Sequence, residues 1–132
     1  MSAPQSDTRF TKARRLLTAS DFKRVFDQPD ARVSHRCILL LARRNGHSIH
    51  RLGFVLARKH VRLSVQRNRI KRVSREFFRA LPQTEPPMDV VLLARKGLDE
   101  LNNEILRAEL HQLWHRLIRN IDKGAAKKYE EP

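Results

Sequence analysis

Between Arg58 and Arg79 the chain carries nine basic side chains, Arg58, Lys59, Arg62, Arg67, Arg69, Lys71, Arg72, Arg75 and Arg79, against a single acid, Glu76. At about 100° of helical rotation per residue, Asn68, Lys71, Arg72, Arg75 and Arg79 share one face of a helix, opposite the stripe Ile70, Val73, Phe77, Phe78, Leu81. A helix face of mixed sign is ordinarily just solvated. Here one sign dominates, and like charges at i, i+3 and i+4 repel by a few tenths of a kcal/mol per pair, a cost that an external polyanion turns into attraction. Arginine outnumbers lysine, which favours forked contacts with phosphate. With one Tyr and one Trp in the chain, a sheet paved with stacking aromatics is not expected. The chemistry of this segment is nucleic-acid binding through the backbone, and neutralising about six phosphates would give log affinity against log salt a slope of about −4 to −5.

Other chemistry is sparse. His111 and His115 are spaced i, i+4 but lack the His-Glu pair of a zinc-protease helix, so solvated or interfacial histidines are expected. Asp21, Asp27, Asp30, Asp89 and Asp99 lie in separate segments, which offers no two-metal nuclease centre, and there is no glycine-rich phosphate loop. No catalytic side chain is expected. The longest apolar run, Cys37 to Ala42, falls far short of the ~20 residues of a membrane span. Met1 to Phe10 lacks the apolar core of a secretory signal, and one cysteine cannot form an internal disulfide. A soluble protein of the reducing cytoplasm is expected, with no membrane partner and with Cys37 as a small buried hydrophobe. The 132 residues suit one domain, and 28 Lys and Arg against 14 Asp and Glu leave it at +14.

The elements that must position the basic helix follow from periodicity and punctuation. Residues 1–17, with Arg9, Lys12, Arg14 and Arg15, have no amphipathic period and read as an extended basic arm. Thr18 and Asp21 form a capping pattern, and Phe22, Val25 and Phe26 make the apolar side of a short helix that ends before Pro29. A strand at Cys37–Leu41, the turn Asn45-Gly46 and a strand at Leu52–Leu56 predict a hairpin, with a shorter strand around Val33 before it. The basic helix covers 64–81 and stops at Pro82. After the Pro86-Pro87 spacer, Val90–Ala94 is apolar on both faces, as in a central strand. The last helix starts at Asn102 or Asn103, runs along Ile105, Leu106, Leu110, Leu113, Trp114, Leu117 and Ile121, and is expected to cap at Gly124. Ser74 faces inward on the wheel, where it could bond the Ile70 carbonyl. The sum is an α+β sandwich, helix-strands-helix-strand-helix, in one nucleic-acid-binding domain over 18–122 with a flexible tail over 123–132. The helices are expected on one side of the sheet, and the middle helix makes a crossover long enough for a parallel strand pair.

The spelling is more specific than the charge. Arg67-Asn68-Arg69-Ile70-Lys71-Arg72 with Arg75-Glu76 and Phe78-Arg79 resembles the signature of the protein subunit of bacterial ribonuclease P. Arg15-Leu16-Leu17-Thr18 through Phe26, Leu52-Gly53-Phe54-Val55 with Arg58-Lys59, and Asp89 through Arg95 are similar to that family in the same order. The resemblance implies a ribosomal-protein-S5-domain-2-like fold with a left-handed βαβ crossover, against the usual hand. It implies a protein that assists a catalytic RNA, with Mg²⁺ held mainly by that RNA, in removing the 5′ leader of precursor tRNA. It further implies catalytic-RNA contacts at Arg67, Asn68, Arg69, Lys71, Arg72 and Arg75, and leader contacts at Phe22, Phe26, Lys59 and Arg58 in a cleft between the first helix and the sheet. Where many members have Ser-Lys-Lys and a glycine-containing turn before the basic helix, this chain reads Ala57-Arg58-Lys59-His60-Val61-Arg62. On the residues alone, a ribosomal or RNA-chaperone module with the same helix, and a protein-only nuclease, remain as alternatives.

Overall fold

Val90 to Ala94 are five apolar residues in a row, which a strand can bury only if both of its faces are covered. In the computed structural model, which describes residues 15, 18–46, 49–81 and 87–130 (backbone alone for 122–130), that strand lies inside a four-stranded mixed sheet. The elements run α1 (Ala19–Asp27), β1 (Ala31–His35), β2 (Ile38–Arg44), β3 (Arg51–Val55), α2 (Ser64–Arg79), β4 (Met88–Ala94), a 3₁₀ turn (Leu98–Glu100) and α3 (Asn103–Glu130). Strand order is β1-β2-β4-β3, with β4 antiparallel to β2 and parallel to β3. The fold is α+β, and α2 is the crossover between the parallel pair.

The expected hairpin between the Cys37 and Leu52 strands does not form. β2 makes its hairpin with β1, and β4 is inserted between β2 and β3. A strand apolar on both sides gains most between two neighbours, whereas β3, headed by Arg51 and half-buried along much of its length, takes the edge. Asn45-Gly46 still turns the chain, with Gly46 at φ +71°, but it leads past the end of β4 rather than back along β2.

Both sheet faces carry helices, not one. Val33, Ile38, Leu40, Leu52, Val90 and Leu92 point into the main core beneath α2 and α3, where Ile70, Val73, Phe78, Leu106, Leu110, Leu113 and Leu117 are buried. Leu39, Leu41 and Val91 point the other way and pack against Val25 of α1. The capping pattern at Thr18 is realised: its hydroxyl accepts from the Asp21 N–H at 3.1 Å, and the Asp21 carboxylate accepts from the Thr18 N–H at 3.4 Å. Asn102 caps α3 through a 2.8 Å bond from the Ile105 N–H. Ile105, placed on the inner stripe by periodicity, is 46% exposed because it lies about 100° round the helix from the fully buried Leu106. The helix is not capped at Gly124; its backbone continues through that residue to Glu130. Residues 1–14, 16 and 17 of the basic arm, Pro82, Pro86 and the last two residues of the tail lie outside the described residues.

Ser74 is fully buried, but its hydroxyl has no hydrogen-bond partner among the described residues, so the bond to the Ile70 carbonyl is not made. A buried unsatisfied hydroxyl costs about 1–3 kcal/mol. Ser74→Ala is expected to raise unfolding free energy by about 1 kcal/mol in a urea titration; an unchanged or lowered midpoint would show that the hydroxyl is satisfied.

Candidate nucleic-acid interface

Six basic side chains ride on α2 with one acid, and among the described residues no carboxylate lies within ion-pair distance of any of the six. Buried Ile70, Val73 and Phe78 fix the rotation of the helix against α3 and the sheet. Asn68, Arg72 and Arg79 are consequently exposed and Lys71 is half-buried, forming the outward cation row.

Arg67 and Arg69 also serve the protein. The Arg67 guanidinium donates to the Val61 and Arg62 carbonyls, both at 2.9 Å, and so ties the loop after β3 to the first turn of α2. That loop closes on itself through His60 and Val61 N–H bonds to the Ala57 carbonyl, with Val61 fully buried. A glycine-free sequence thus still forms a tight turn here, and leaves Arg58 and Lys59 exposed on it. Arg69 donates to Gln66 at 2.8 Å, to the Asn103 side chain at 2.8 Å and to the Asp99 carbonyl at 3.4 Å, bracing α2 against the start of α3. Gln66 and Asn103 carry no sequence signal for this role beyond their polarity, since the partner helix begins 34 residues away from Arg69.

Arg75 lies with its guanidinium carbon 5.4 Å from the centroid of the Phe54 ring, within cation–π range. Burial, and then the neighbouring Arg15 guanidinium, push its pKa below the ordinary value for arginine. Arg15 pairs in parallel with Leu52 at the outer edge of β3, so the arm delivers its charge beside α2. Two guanidiniums held together in this way favour an anion between or above them.

On the opposite face, α1 lies across three strands. Arg43, Asp89 and Arg51 are in register on β2, β4 and β3. Gln28, just past the end of α1, accepts from Arg43 at 3.0 Å, and Asp21 in its first turn accepts from Arg51 at 3.5 Å. Arg51 grips Asp89 with two 2.7 Å bonds, and Asn45 donates to the same carboxylate at 2.9 Å. Two acids that the sequence keeps in separate segments therefore converge on one guanidinium. This is an ion-pair network that holds a helix. Its signal in the sequence is slight: each of Arg51 and Asp89 is the single charge near the head of an otherwise apolar strand.

Phe22, Val55 and Leu93 are half-buried members of the cluster under α1, and Phe26 is 41% exposed. Arg58 and Lys59 leave from the end of β3 just beyond Val55. Of the four residues expected at a leader site, the two rings stand on α1 and the two exposed cations on the loop that follows β3.

Burial alone would raise the Asp21 carboxyl, but the Thr18 hydrogen bond, Arg51 and Arg24 outweigh it and hold its pKa below the ordinary 3.8. A lowered folded-state pKa contributes stability above the unfolded value and loses it as pH falls through the folded one. Thr18→Ala is expected to cost about 1 kcal/mol at neutral pH and less at a pH below the folded-state pKa of Asp21. An equal loss at both pH values would detach the cap from Asp21 ionisation.

Comparison with known proteins follows the same lines. A family model described as Ribonuclease P matches residues 10–118. The Ribonuclease P protein component of Pseudomonas aeruginosa is 50% identical over 111 residues, 84% of this chain and 82% of that one. The Ribonuclease P protein component of Chromohalobacter salexigens is 40% identical over 127 residues, 96% of this chain and 99% of that one. Among solved structures, the RNase P protein from Thermotoga maritima superposes with a TM-score of 0.66 at 32% identity, covering 80% of this chain and 96% of that one. The Staphylococcus aureus RNase P protein has the same fold, with a TM-score of 0.73 at 24% identity over 81% of this chain and 99% of that one.

Proposed function

The chain belongs to the ribonuclease P protein family, and on that premise we propose how its two faces divide the work. It is a subunit of the ribonuclease P ribonucleoprotein, acting in tRNA processing together with the ribonuclease P RNA. In our reading the α2 row, Asn68, Lys71, Arg72 and Arg79 with Arg75 beside it, docks on that RNA. Arg67 and Arg69 contact it while fixing the loop and the α3 junction. Phe22, Phe26, Arg58 and Lys59 border the path of the single-stranded 5′ leader of precursor tRNA. The observation that carries this reading is the α2 cation row without carboxylate partners among the described residues. Internal pairing would have satisfied it; an RNA backbone does so from outside.

The RNA holds the Mg²⁺ and performs phosphodiester hydrolysis, and the protein supplies position and charge. Among the described residues no group of three or more His, Cys, Asp or Glu could hold a metal ion. Neutralising phosphates lowers the Mg²⁺ needed for assembly. Gripping the leader strengthens substrate relative to mature tRNA, which lacks it, and that difference relieves product inhibition. The cytoplasm, where precursor tRNA is made, is the proposed location; no helix among the described residues is long and apolar enough to cross a membrane.

The test is reconstitution of ribonuclease P RNA and precursor tRNA at low Mg²⁺, with and without the protein. Enhanced cleavage is expected; no enhancement, or cleavage by RNA-free protein, would overturn the division of labour. Within that assay, Phe22→Ala is expected to weaken leader-bearing substrate by about 1–3 kcal/mol, the range of a base–aromatic stack, while leaderless tRNA binds as before. Equal losses for both would remove Phe22 from the leader path.

A further inference from the structure

Two histidines one turn apart on α3 take no part in either RNA-facing surface. His111 and His115 are both exposed, their ring centroids are 4.6 Å apart with planes at 84°, and their Nε2 atoms approach to 3.2 Å. Spacing of i, i+4 alone puts two side chains on one helix face but leaves their rotamers free to diverge. Here the rings converge, and Phe77 of α2 stands edge-on to His111 at 6.3 Å between centroids, limiting how far that ring can swing. Each ring is the other's only hydrogen-bonding partner among the described residues.

With Zn–N bonds of about 2.0–2.1 Å, an Nε2–Nε2 separation of 3.2 Å subtends about 100° at a shared metal, close to the roughly 109° of a tetrahedron. We propose that His111 and His115 form a two-imidazole site for a divalent transition-metal ion of the zinc and nickel class, bound through both Nε2 atoms while each ring keeps its proton on Nδ1. Imidazole selects this class over Mg²⁺ and Ca²⁺, which prefer oxygen ligands. No third His, Cys, Asp or Glu joins the pair among the described residues, so the ion keeps further positions for water or an outside donor. Arg107 and Arg119, one turn before and one turn after the pair, are exposed cations on the same helix. Their charge and the ligand count of two set its affinity below that of a four-ligand structural site. The site rests on α3 and stands whether or not α2 meets RNA.

The test uses the untagged full chain. Imidazole NMR resonances are followed during Zn²⁺ titration, with calorimetry for stoichiometry and Mg²⁺ as the control. His111 and His115 signals are expected to shift together and saturate at one equivalent, and the same concentration of Mg²⁺ to move neither. His111→Asn and His115→Asn are each expected to lower Zn²⁺ affinity by about tenfold or more with the metal-free melting curve unchanged, as suits exposed positions. Zn²⁺ that moves neither ring, or only one, overturns the proposal. So does binding that survives in the double variant, which would transfer it to other histidines or Cys37.

Discussion

Replacing Lys71, Arg72 and Arg79 together by glutamine is expected to weaken binding to the ribonuclease P RNA by about a hundredfold or more at moderate salt, and to flatten the log affinity–log salt slope by about 2 to 3. The free protein is expected to become slightly more stable. Both results have one cause. Arg67, Lys71, Arg75 and Arg79 follow each other at i+4, and Arg69, Arg72 and Arg75 at i+3, so the helix carries a chain of like-charge neighbours, each costing a few tenths of a kcal/mol. The three substitutions remove all five of these pairs together with the attractive spacings of Arg72 and Arg79 to Glu76, a net gain of about 0.5–1 kcal/mol, and touch no side chain that hydrogen-bonds within the described protein. Arg67, Arg69 and Arg75 behave differently: they hold the loop, α3 and Phe54, and replacing them will cost stability as well as affinity. Binding across a salt series, with urea unfolding in parallel, reads both quantities. An unchanged salt slope in the triple variant would mean that the RNA docks elsewhere.

The largest stability effect is expected at Asp89. Asp89 is 5% exposed, and its carboxylate is held by Arg51 Nε and Nη2 and by Asn45. Removing one member of such a buried pair leaves an uncompensated charge, typically at a cost of 3–5 kcal/mol. Asp89→Ala is therefore expected to lose about 3–5 kcal/mol, a large part of the 5–15 kcal/mol typical of a domain. The doubly apolar variant, Arg51→Met with Asp89→Leu, is expected to recover part of it, since neither member of the pair is then left facing a gap and Asp21 keeps Arg24 at 2.9 Å. Urea unfolding distinguishes the cases. A loss below about 1 kcal/mol in Asp89→Ala would show that the pair behaves as though solvated. Because Arg51 also reaches Asp21, the single variant is expected to loosen α1 and, with it, Phe22 and Phe26.

Local rules carried α1, α2 and the start of α3, because caps and 3.6-residue periodicity are written in adjacent residues: Thr18 with Asp21, Ile70 with Val73, Asn102 with Ile105. The double-sided apolarity of Val90–Ala94 likewise announced a central strand. What neighbouring residues do not encode is which strand lies beside which. The hairpin expected across Asn45-Gly46 was lost because the turn signal specifies a change of direction, and only the tertiary arrangement specifies the partner. Arg67 and Arg69 illustrate the same limit at the candidate site: their charge and motif are visible in the sequence, but the carbonyls and amides they also hold come from other elements. The helical wheel turns Ser74 inward, as it lies, yet its missing bond depends on side-chain direction within a packed core.

The insertion of β4 between β2 and β3 has a consequence for biosynthesis. Arg51 and Asp89, aligned across the parallel pair, are 38 residues apart in the chain. As the polypeptide leaves the ribosome, β1 and β2 can zip together at once, but the other side of β2 must wait, and β3 has no strand of the sheet to join until the whole of α2 has been translated. Non-local pairing of this kind slows folding, and an apolar strand with an open edge invites association with other nascent chains. The interval between the appearance of Leu41 and that of Val91 is thus the period in which the newborn subunit is most vulnerable.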